Sequence, residues 1–170
     1  FDGDIATWFE FMSSGDARMV GKRLELGQLS VDLIPLDDKL PWLYLINNSF
    51  AYSNVKAETL VVNRSVNTTG VSVICRYSDI GWYEFVFSNT GTYSIYAVDN
   101  SGLVSQGYNL LTATVLSPDS PTNVFAAECK GSELNQYVNN TLVNTFVDTK
   151  FNFIEGKIGI AVSSPDKLPV

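Results

Sequence analysis

The sequence predicts an all-β fold in which two antiparallel sheets pack as a sandwich, and three observations support it. Apolar and polar residues alternate with a period of two in many segments, as in strands whose two faces meet different surroundings. Charged residues make up only 17% of the chain, while residue types that favour strands and uncharged turns are abundant. Strands with one apolar face bury it well when two sheets pack face to face. At 170 residues the chain can bury one sizeable core, so we expect a single domain over residues 1–170.

The first third of the chain is expected to contain short strands. Residues 1–11 combine Trp and Phe with Asp and Gly, which is typical of a strand or loop that docks on a core. Residues 17–32 could form two short strands or one helix. Because Gly21 and Gly27 would lie inside that helix, two strands are favoured. Alternation then predicts two further strands, at 42–46 and 54–63.

The stretch 71–98 predicts three consecutive strands, separated by turns at 78–81 and 89–91. Gly91 is available for the left-handed position of the second turn. Alternation directs one set of side chains inward: Val71, Val73, Cys75, Tyr83, Phe85, Phe87, Tyr93 and Ile95. It directs a second set outward: Arg76, Trp82, Glu84 and Tyr96.

The remaining strands follow the same pattern. A strand near 108–115 is bracketed by two loops, and stronger alternation marks the segments 123–130, 133–138, 141–146 and 156–163. Asn139 and Asn140 form a two-residue connection of the type that accepts positive φ.

Composition also excludes several classes of function. A net charge of −7 argues against nucleic-acid partners and against an anionic membrane surface. The absence of histidine excludes histidine-based triads and histidine metal sites. No apolar run reaches the length of a transmembrane helix, so we expect no direct membrane insertion of this domain.

Two long runs, 70–96 and 125–164, carry a family resemblance. Their motifs are G-x-x-x-x-C-R-Y, W-Y-E-F, a G-x-Y hairpin, C-K-G-x-x-L-x-x-Y-V-N and E-G-x-I-G-I. The chain resembles the concanavalin A-like lectin/glucanase superfamily and, more closely, the jelly-roll domain called 3-keto-disaccharide hydrolase or domain of unknown function, found in secreted and lipoprotein-type bacterial proteins. The resemblance is clear over residues 50–163 and loose over 1–50. It implies a jelly roll with one concave sheet, an extracytoplasmic and bacterial setting, and one further strand after Val170.

The two cysteines and several aspartates form possible structural sites. Cys75 and Cys129 are both expected to point inward, where they form either a disulfide in an oxidising compartment or two buried thiols. The family likeness and the even cysteine count favour the disulfide. Asp2, Asp4 and Asp148 are weak candidates for a structural calcium, because no D-x-D-x-D-G loop is present. No other cofactor is expected.

The outward residues of the stretch 71–98 are the candidate ligand site. An aromatic ring beside an Arg–Glu fork, drawn from Arg76, Trp82, Glu84 and Tyr96, suits the apolar face and hydroxyl edge of a sugar. The alternative is a structural Arg–Glu pair beneath a half-buried tryptophan.

Catalysis by paired acids finds little support. A family-16 glucanase would need E-x-D-x-x-E on one strand, and this run is absent, so no catalytic residue is assigned. We therefore expect a non-catalytic extracytoplasmic binding or sensory module, carried by a larger secreted or anchored protein, with a glycan as its partner. The alternatives are a hydrolase of the 3-keto-disaccharide type and a purely structural or protein-interaction domain.

Overall fold

A computed structural model of the chain describes residues 7–13, 17–25, 28–35, 41–102, 106–114 and 121–170. Strands account for most of these residues, and no α-helix occurs among them, which confirms the all-β prediction. The strands are β1 (Trp8–Ser13), β2 (Ala17–Glu25), β3 (Gln28–Pro35), β4 (Trp42–Asn47), β5 (Val55–Val62), β6 (Gly70–Ser78), β7 (Gly81–Ser88), β8 (Thr92–Asp99), β9 (Gln106–Thr114), β10 (Thr122–Lys130), β11 (Glu133–Val138), β12 (Thr141–Val147) and β13 (Lys157–Ser163).

The strands form two main antiparallel sheets and a hairpin. The larger sheet has seven strands in the order β1-β4-β13-β6-β7-β8-β9, and the smaller has four in the order β12-β11-β10-β5. Strands β2 and β3 pair with each other, as expected for two strands rather than one helix over residues 17–32. None of the described residues belongs to a helix long and apolar enough to span a lipid bilayer.

The main core lies between the seven-stranded and four-stranded sheets. The smaller sheet contributes Phe125, Ala127, Cys129, Leu134 and Val138, and the loop after β12 adds Phe153. The seven-stranded sheet contributes Val73, Cys75, Tyr83, Phe85, Phe87, Tyr93, Ile95 and Ala97. The inward direction predicted for the cysteine and aromatic positions of the stretch 71–98 is therefore confirmed.

A disulfide joins the two sheets across this core. Cys75 of β6 and Cys129 of β10 are both fully buried, their Cα atoms are 6.6 Å apart, and the bond connects them. The favoured prediction for the cysteines is confirmed. A cross-link between opposing sheets stabilises a sandwich because it lowers the conformational entropy of the unfolded chain.

Residues that tolerate a positive φ occupy two of the tight turns. Asn139 and Asn140 have φ values of 49° and 66°, as expected for a two-residue hairpin connection. Gly91 has a φ of 83° in the turn between β7 and β8, where its lack of a Cβ atom removes the steric cost.

Candidate functional site

The outward face of the seven-stranded sheet carries a second cluster of side chains, divided by chemistry. One part, which we call the aromatic half, consists of Phe9, Phe11, Trp42, Tyr44, Tyr77 and Trp82. The other, which we call the polar half, consists of Ser94, Tyr96, Asn109 and Thr112. Register brings them onto one surface, because Phe11 pairs with Tyr44 at one edge while Glu84 pairs with Tyr96 towards the other.

The rings of the aromatic half pack directly against one another. Phe11 stacks on Tyr44 with ring centroids 4.7 Å apart and planes within 3° of parallel. Trp82 meets Tyr77 at 5.0 Å and Tyr44 at 5.8 Å, the second in an edge-to-face arrangement. Such offset and edge-to-face contacts are the preferred geometries of aromatic pairs. The cluster is therefore a second small core, built on the side of the sheet that faces away from the four-stranded sheet.

Trp82 lies at the bottom of this cluster. Only 3% of its surface is exposed, so its ring does not offer a platform to a ligand from solvent. Its indole Nε1 is buried and has no hydrogen-bond partner in the part of the chain that the structure describes. The partly exposed rings of the aromatic half are those of Phe9, Phe11, Trp42 and Tyr77.

Glu84 is buried between the two halves. Ser72 Oγ donates to its Oε1 at 2.7 Å, and Tyr44 OH donates to its Oε2 at 3.0 Å. Burial raises the pKa of Glu84 above its ordinary value, and the bonds from Ser72 and Tyr44 only partly offset this effect. The indole of Trp82 also favours the charged form, although no hydrogen bond of standard geometry joins the two groups.

The polar half is a patch of hydroxyl and amide groups on two neighbouring strands, where Ser94 pairs with Thr112 and Tyr96 with Asn109. Ser94 Oγ and Thr112 Oγ1 are 2.9 Å apart, and Asn109 Nδ2 donates to Thr112 Oγ1 at 2.6 Å and to Tyr96 OH at 3.3 Å. Tyr96 is partly exposed, and Asn109 and Thr112 are exposed. These groups can exchange their mutual bonds for bonds to the hydroxyls of a ligand.

Arg76 does not face outward, and the prediction that placed it beside Glu84 is wrong. The pairing of β6 and β7 is irregular between Cys75 and Ser78, and Arg76 has a φ of 57°. This bulge breaks the period of two and turns the side chain away from the outward face. The guanidinium instead donates to the carbonyl oxygens of Ser53, Gly131 and Phe153, and Arg76 is 2% exposed.

Asp148 lies beside the same end of the core and is fully occupied by donors. Tyr83 OH donates to its Oδ2 at 2.6 Å, and the backbone N–H groups of Lys150, Phe151 and Asn152 also donate to the carboxylate. Burial alone would raise the pKa of Asp148, but these bonds lower it below its usual value.

The calcium candidates are not brought together by the described residues. Asp2 and Asp4 lie outside the described residues, and the oxygens of Asp148 already accept hydrogen bonds from the chain. Among the residues that the structure describes, no group of three or more acidic, cysteine or histidine side chains could hold a metal ion.

Glu84 and Glu128, which both lie within strands, are on opposite surfaces of the sandwich. Glu84 faces outward from the seven-stranded sheet, whereas Glu128 lies on the outer surface of the four-stranded sheet. There Glu128 accepts bonds from Tyr137 OH at 2.9 Å and Asn135 Nδ2 at 3.1 Å, which lower its pKa. Among the acidic side chains on the described strands of the seven-stranded sheet, only that of Glu84 points to the outward face, because the alternation along each strand turns the others inward.

Sequence reasoning missed most of the aromatic half and three residues of the polar half. Alternation in β4 does place Trp42 and Tyr44 on one face, opposite Leu43 and Leu45. What the sequence does not contain is the strand order, which puts β1 and β4 in the same sheet as β7. The outward positions of Trp82, Glu84 and Tyr96 are as expected.

Comparison with known proteins gives the fold. No family model and no curated protein matches the chain. Among solved structures, the carbohydrate-binding module CBM66 from Bacillus subtilis superposes with a TM-score of 0.60 at 12% identity, over 93% of this chain and 91% of that one. A Bacillus licheniformis β-glucanase superposes with a TM-score of 0.59 at 14% identity, over 96% of this chain and 81% of that one. A Bacillus subtilis protein of unknown function with a galectin-like fold superposes with a TM-score of 0.64 at 9% identity, over 95% of this chain and 84% of that one.

These likenesses confirm the two-sheet jelly-roll fold predicted from the sequence. At such identities they establish the fold alone, because folds of this kind carry many functions. The closer resemblance to the 3-keto-disaccharide hydrolase family stays a prediction.

Proposed function

We propose that the chain is a non-catalytic carbohydrate-binding module that acts outside the cytoplasm, with its ligand on the outward face of the seven-stranded sheet. The observation that carries the proposal is that this one face holds both partly exposed aromatic rings and, on β8 and β9, a patch of hydroxyl and amide groups. Sugars offer apolar ring faces and hydroxyl edges, and this surface complements both. The shared fold of a carbohydrate-binding module and of glucanases supports the proposal.

Different observations support the proposed setting of the protein. A disulfide that joins the two sheets suits an oxidising compartment, since cytosolic thiols are kept reduced. The bacterial source, and a place within a larger secreted or anchored protein, rest on the sequence resemblance.

The four candidate residues take different roles in this proposal. Tyr96 contacts the ligand directly, because its ring is partly exposed and its hydroxyl already accepts a bond from Asn109. Trp82 and Glu84 support the surface from below, since both are buried. Arg76 takes no part, because its guanidinium is used by three carbonyl oxygens at the end of the core.

A glycan array followed by calorimetry on the best hit tests the proposal. Tyr96→Ala and Trp42→Ala are expected to weaken binding at least about tenfold, equivalent to ~1.4 kcal/mol, because each removes a ring from the surface. Leu60→Ala is the matched control, since Leu60 is 64% exposed on the outer surface of the four-stranded sheet. Absence of binding on the array, or equal losses in all three variants, would contradict the proposal and favour a structural or protein-interaction module.

A hydrolase is the second candidate, and one observation favours it. The raised pKa of the buried Glu84 is a property that a general acid requires near neutral pH. Against it, a glycosidase of the usual kind needs a second carboxylate on the same face. Turnover of a keto-disaccharide or a β-glucan that disappears in Glu84→Gln, while Glu128→Gln remains active, would establish the hydrolase instead.

A further inference from the structure

Two aromatic rings meet at the rim of the sandwich, away from the outward face. Tyr108 is on β9, the edge strand of the seven-stranded sheet, and it pairs with Ala97, which points to the inner side of that sheet. Phe151 follows β12, the edge strand of the four-stranded sheet. The ring centroids of Tyr108 and Phe151 are 5.1 Å apart, and their planes are tilted by 43°. Both residues are partly exposed, so these rings are accessible where the two sheet edges meet.

Lys150 places a positive charge on both rings at once. Its Nζ is 4.4 Å from the ring centroid of Tyr108 and 4.6 Å from that of Phe151. These distances are typical of cation–π contacts, in which the negative face of the ring attracts a cation. The two ring faces therefore converge on one point, and we call the space between them the ring cleft. It accommodates an ammonium group.

The walls of the ring cleft are held by contacts that do not involve the Lys150 side chain. The backbone N–H of Phe151 donates to the carboxylate of Asp148 at 3.2 Å, and its ring packs on the buried ring of Phe153, with centroids 5.8 Å apart. Tyr108 is fixed by the pairing of β9 with β8. The ring cleft is therefore preorganised, and we expect it to persist when the side chain of Lys150 is removed.

Negative charge near the ring cleft also favours a cation. Hydrogen bonds from Ser101 lower the pKa of Asp99, and the positive charge of Lys150 adds to this effect, so Asp99 and Lys150 interact electrostatically. The net charge of the whole chain is −7. A cation in the ring cleft is therefore attracted both by the ring faces and by a neighbouring carboxylate.

Lys150 is a weak occupant of this cleft. The residue is exposed, and a lysine ammonium group is strongly hydrated, so it gives up water to approach a ring. An exposed cation–π contact shifts an equilibrium by only roughly two- to fivefold. A quaternary ammonium group carries its charge beneath methyl groups and needs no hydrogen-bond acceptor. It therefore suits a pair of ring faces better than a primary ammonium group does.

We propose that the ring cleft is a binding site for a quaternary ammonium group, and that Lys150 occupies the site until such a ligand displaces it. The ligand lies over the rings of Tyr108 and Phe151, near the carboxylate of Asp99. Because the ring cleft is at the rim of the sandwich, this binding is separate from that of the glycan proposed for the outward face.

Titration of the intact protein with choline, followed by NMR, tests the proposal. Lys150→Ala is expected to bind choline about two- to fivefold more tightly than the parent, because the internal competitor is gone, and the ring resonances of Tyr108 and Phe151 should shift. The neutral analogue, in which a tert-butyl group replaces the trimethylammonium group, should bind at least about fivefold more weakly. Unshifted rings, an affinity that Lys150→Ala leaves unchanged, or equal affinity for the two compounds would overturn the proposal.

Lys56 and Tyr137 provide the matched control on the outer surface of the four-stranded sheet. Lys56 Nζ is 4.2 Å from the ring centroid of Tyr137, which is a comparable contact with one ring instead of two. In Lys56→Ala, choline is expected to leave the Tyr137 resonances nearly unchanged. A shift of Tyr137 as large as those of Tyr108 and Phe151 would overturn the proposal, because any exposed ring would then bind the probe equally well.

Vesicles distinguish the two sources from which a quaternary ammonium group could come. Sedimentation of Lys150→Ala with phosphatidylcholine vesicles, if free choline abolishes it, would identify a lipid headgroup as the ligand. Binding of choline without sedimentation would identify a soluble ligand. Both results support the site, whereas the absence of both would overturn it.

Discussion

A buried carboxylate of the described chain lies on each face of the seven-stranded sheet, and the hydrogen bonds that hold the two differ in number and kind. Tyr83 and Glu84 are adjacent on β7 and point to opposite faces. On the inner side, Tyr83 OH donates to Asp148, and on the outer side, Tyr44 OH donates to Glu84. Both carboxylates are nearly inaccessible to solvent, at 3% and 2% exposure. Yet the pKa of Asp148 is lowered and that of Glu84 is raised.

The difference comes from the number and kind of donors. Asp148 begins a tight loop, so three successive backbone N–H groups converge on its oxygens in addition to the tyrosine hydroxyl. Glu84 is in the middle of a strand, where the backbone N–H groups belong to the sheet, and it receives two hydroxyl donors. Burial therefore decides the pKa of Glu84, and hydrogen bonding decides that of Asp148. The inner carboxylate fixes a loop, whereas the outer one remains easily protonated.

The largest expected effect concerns the bond that holds the inner face together. Replacing both Cys75 and Cys129 with Ala is expected to lower the free energy of unfolding by roughly 4 kcal/mol, because the cross-link closes a loop with a sequence separation of 54. Urea unfolding of the variant, and of the parent with and without reductant, measures this. Reduced parent should resemble the variant. If reductant leaves the parent unchanged while the variant unfolds normally, the packing of the thiols rather than the bond stabilises the core.

The next effect separates the two carboxylates directly. Asp148→Asn is expected to cost about 3 kcal/mol, since it replaces a charged acceptor of several buried bonds and leaves donors unpaired. The folded pKa of Asp148 is lowered, so its contribution is present above the unfolded value near ~3.9 and is lost as pH falls through the folded value. Unfolding measured from pH 2 to 6 should therefore show less acid sensitivity in the variant. An unchanged acid slope would contradict the role given to Asp148.

The alternation of the sequence was sufficient to predict which side chains form the inner face of the seven-stranded sheet, but not which ones form the outer face. The inward residues of 71–98 could be predicted because strands β6, β7 and β8 are consecutive and pair as neighbours. Arg76 could not, because a bulge with positive φ has no signature in the alternation of this segment. The aromatic half could not be assembled either. It depends on β1 and β4, which reach the sheet through β13, a strand far from both in the sequence.

The smallest expected effect is on the outer face and has the opposite pH dependence. The folded pKa of Glu84 is raised, so its contribution to stability is fully present below the unfolded value near ~4.3 and is lost as pH rises towards the folded value. Glu84→Gln keeps the shape and removes the ionisation. Its free energy of unfolding near pH 7 is expected to lie within about 1 kcal/mol of the parent or above it, because no charge must be buried.

Urea unfolding of parent and Glu84→Gln from pH 4 to 8 measures this difference. The stability of the parent relative to the variant should fall as the pH rises, and Glu128→Gln is the matched control. Because the pKa of Glu128 is lowered by Tyr137 and Asn135, that control should lose stability relative to the parent as the pH rises through the titration range, not gain it. Parallel curves for parent and Glu84→Gln would mean that the outer carboxylate titrates normally. In that case bonds from Ser72 and Tyr44 alone would suffice to keep a charge inside an aromatic cluster, and the contrast between the two faces would lie only in the loop that follows β12.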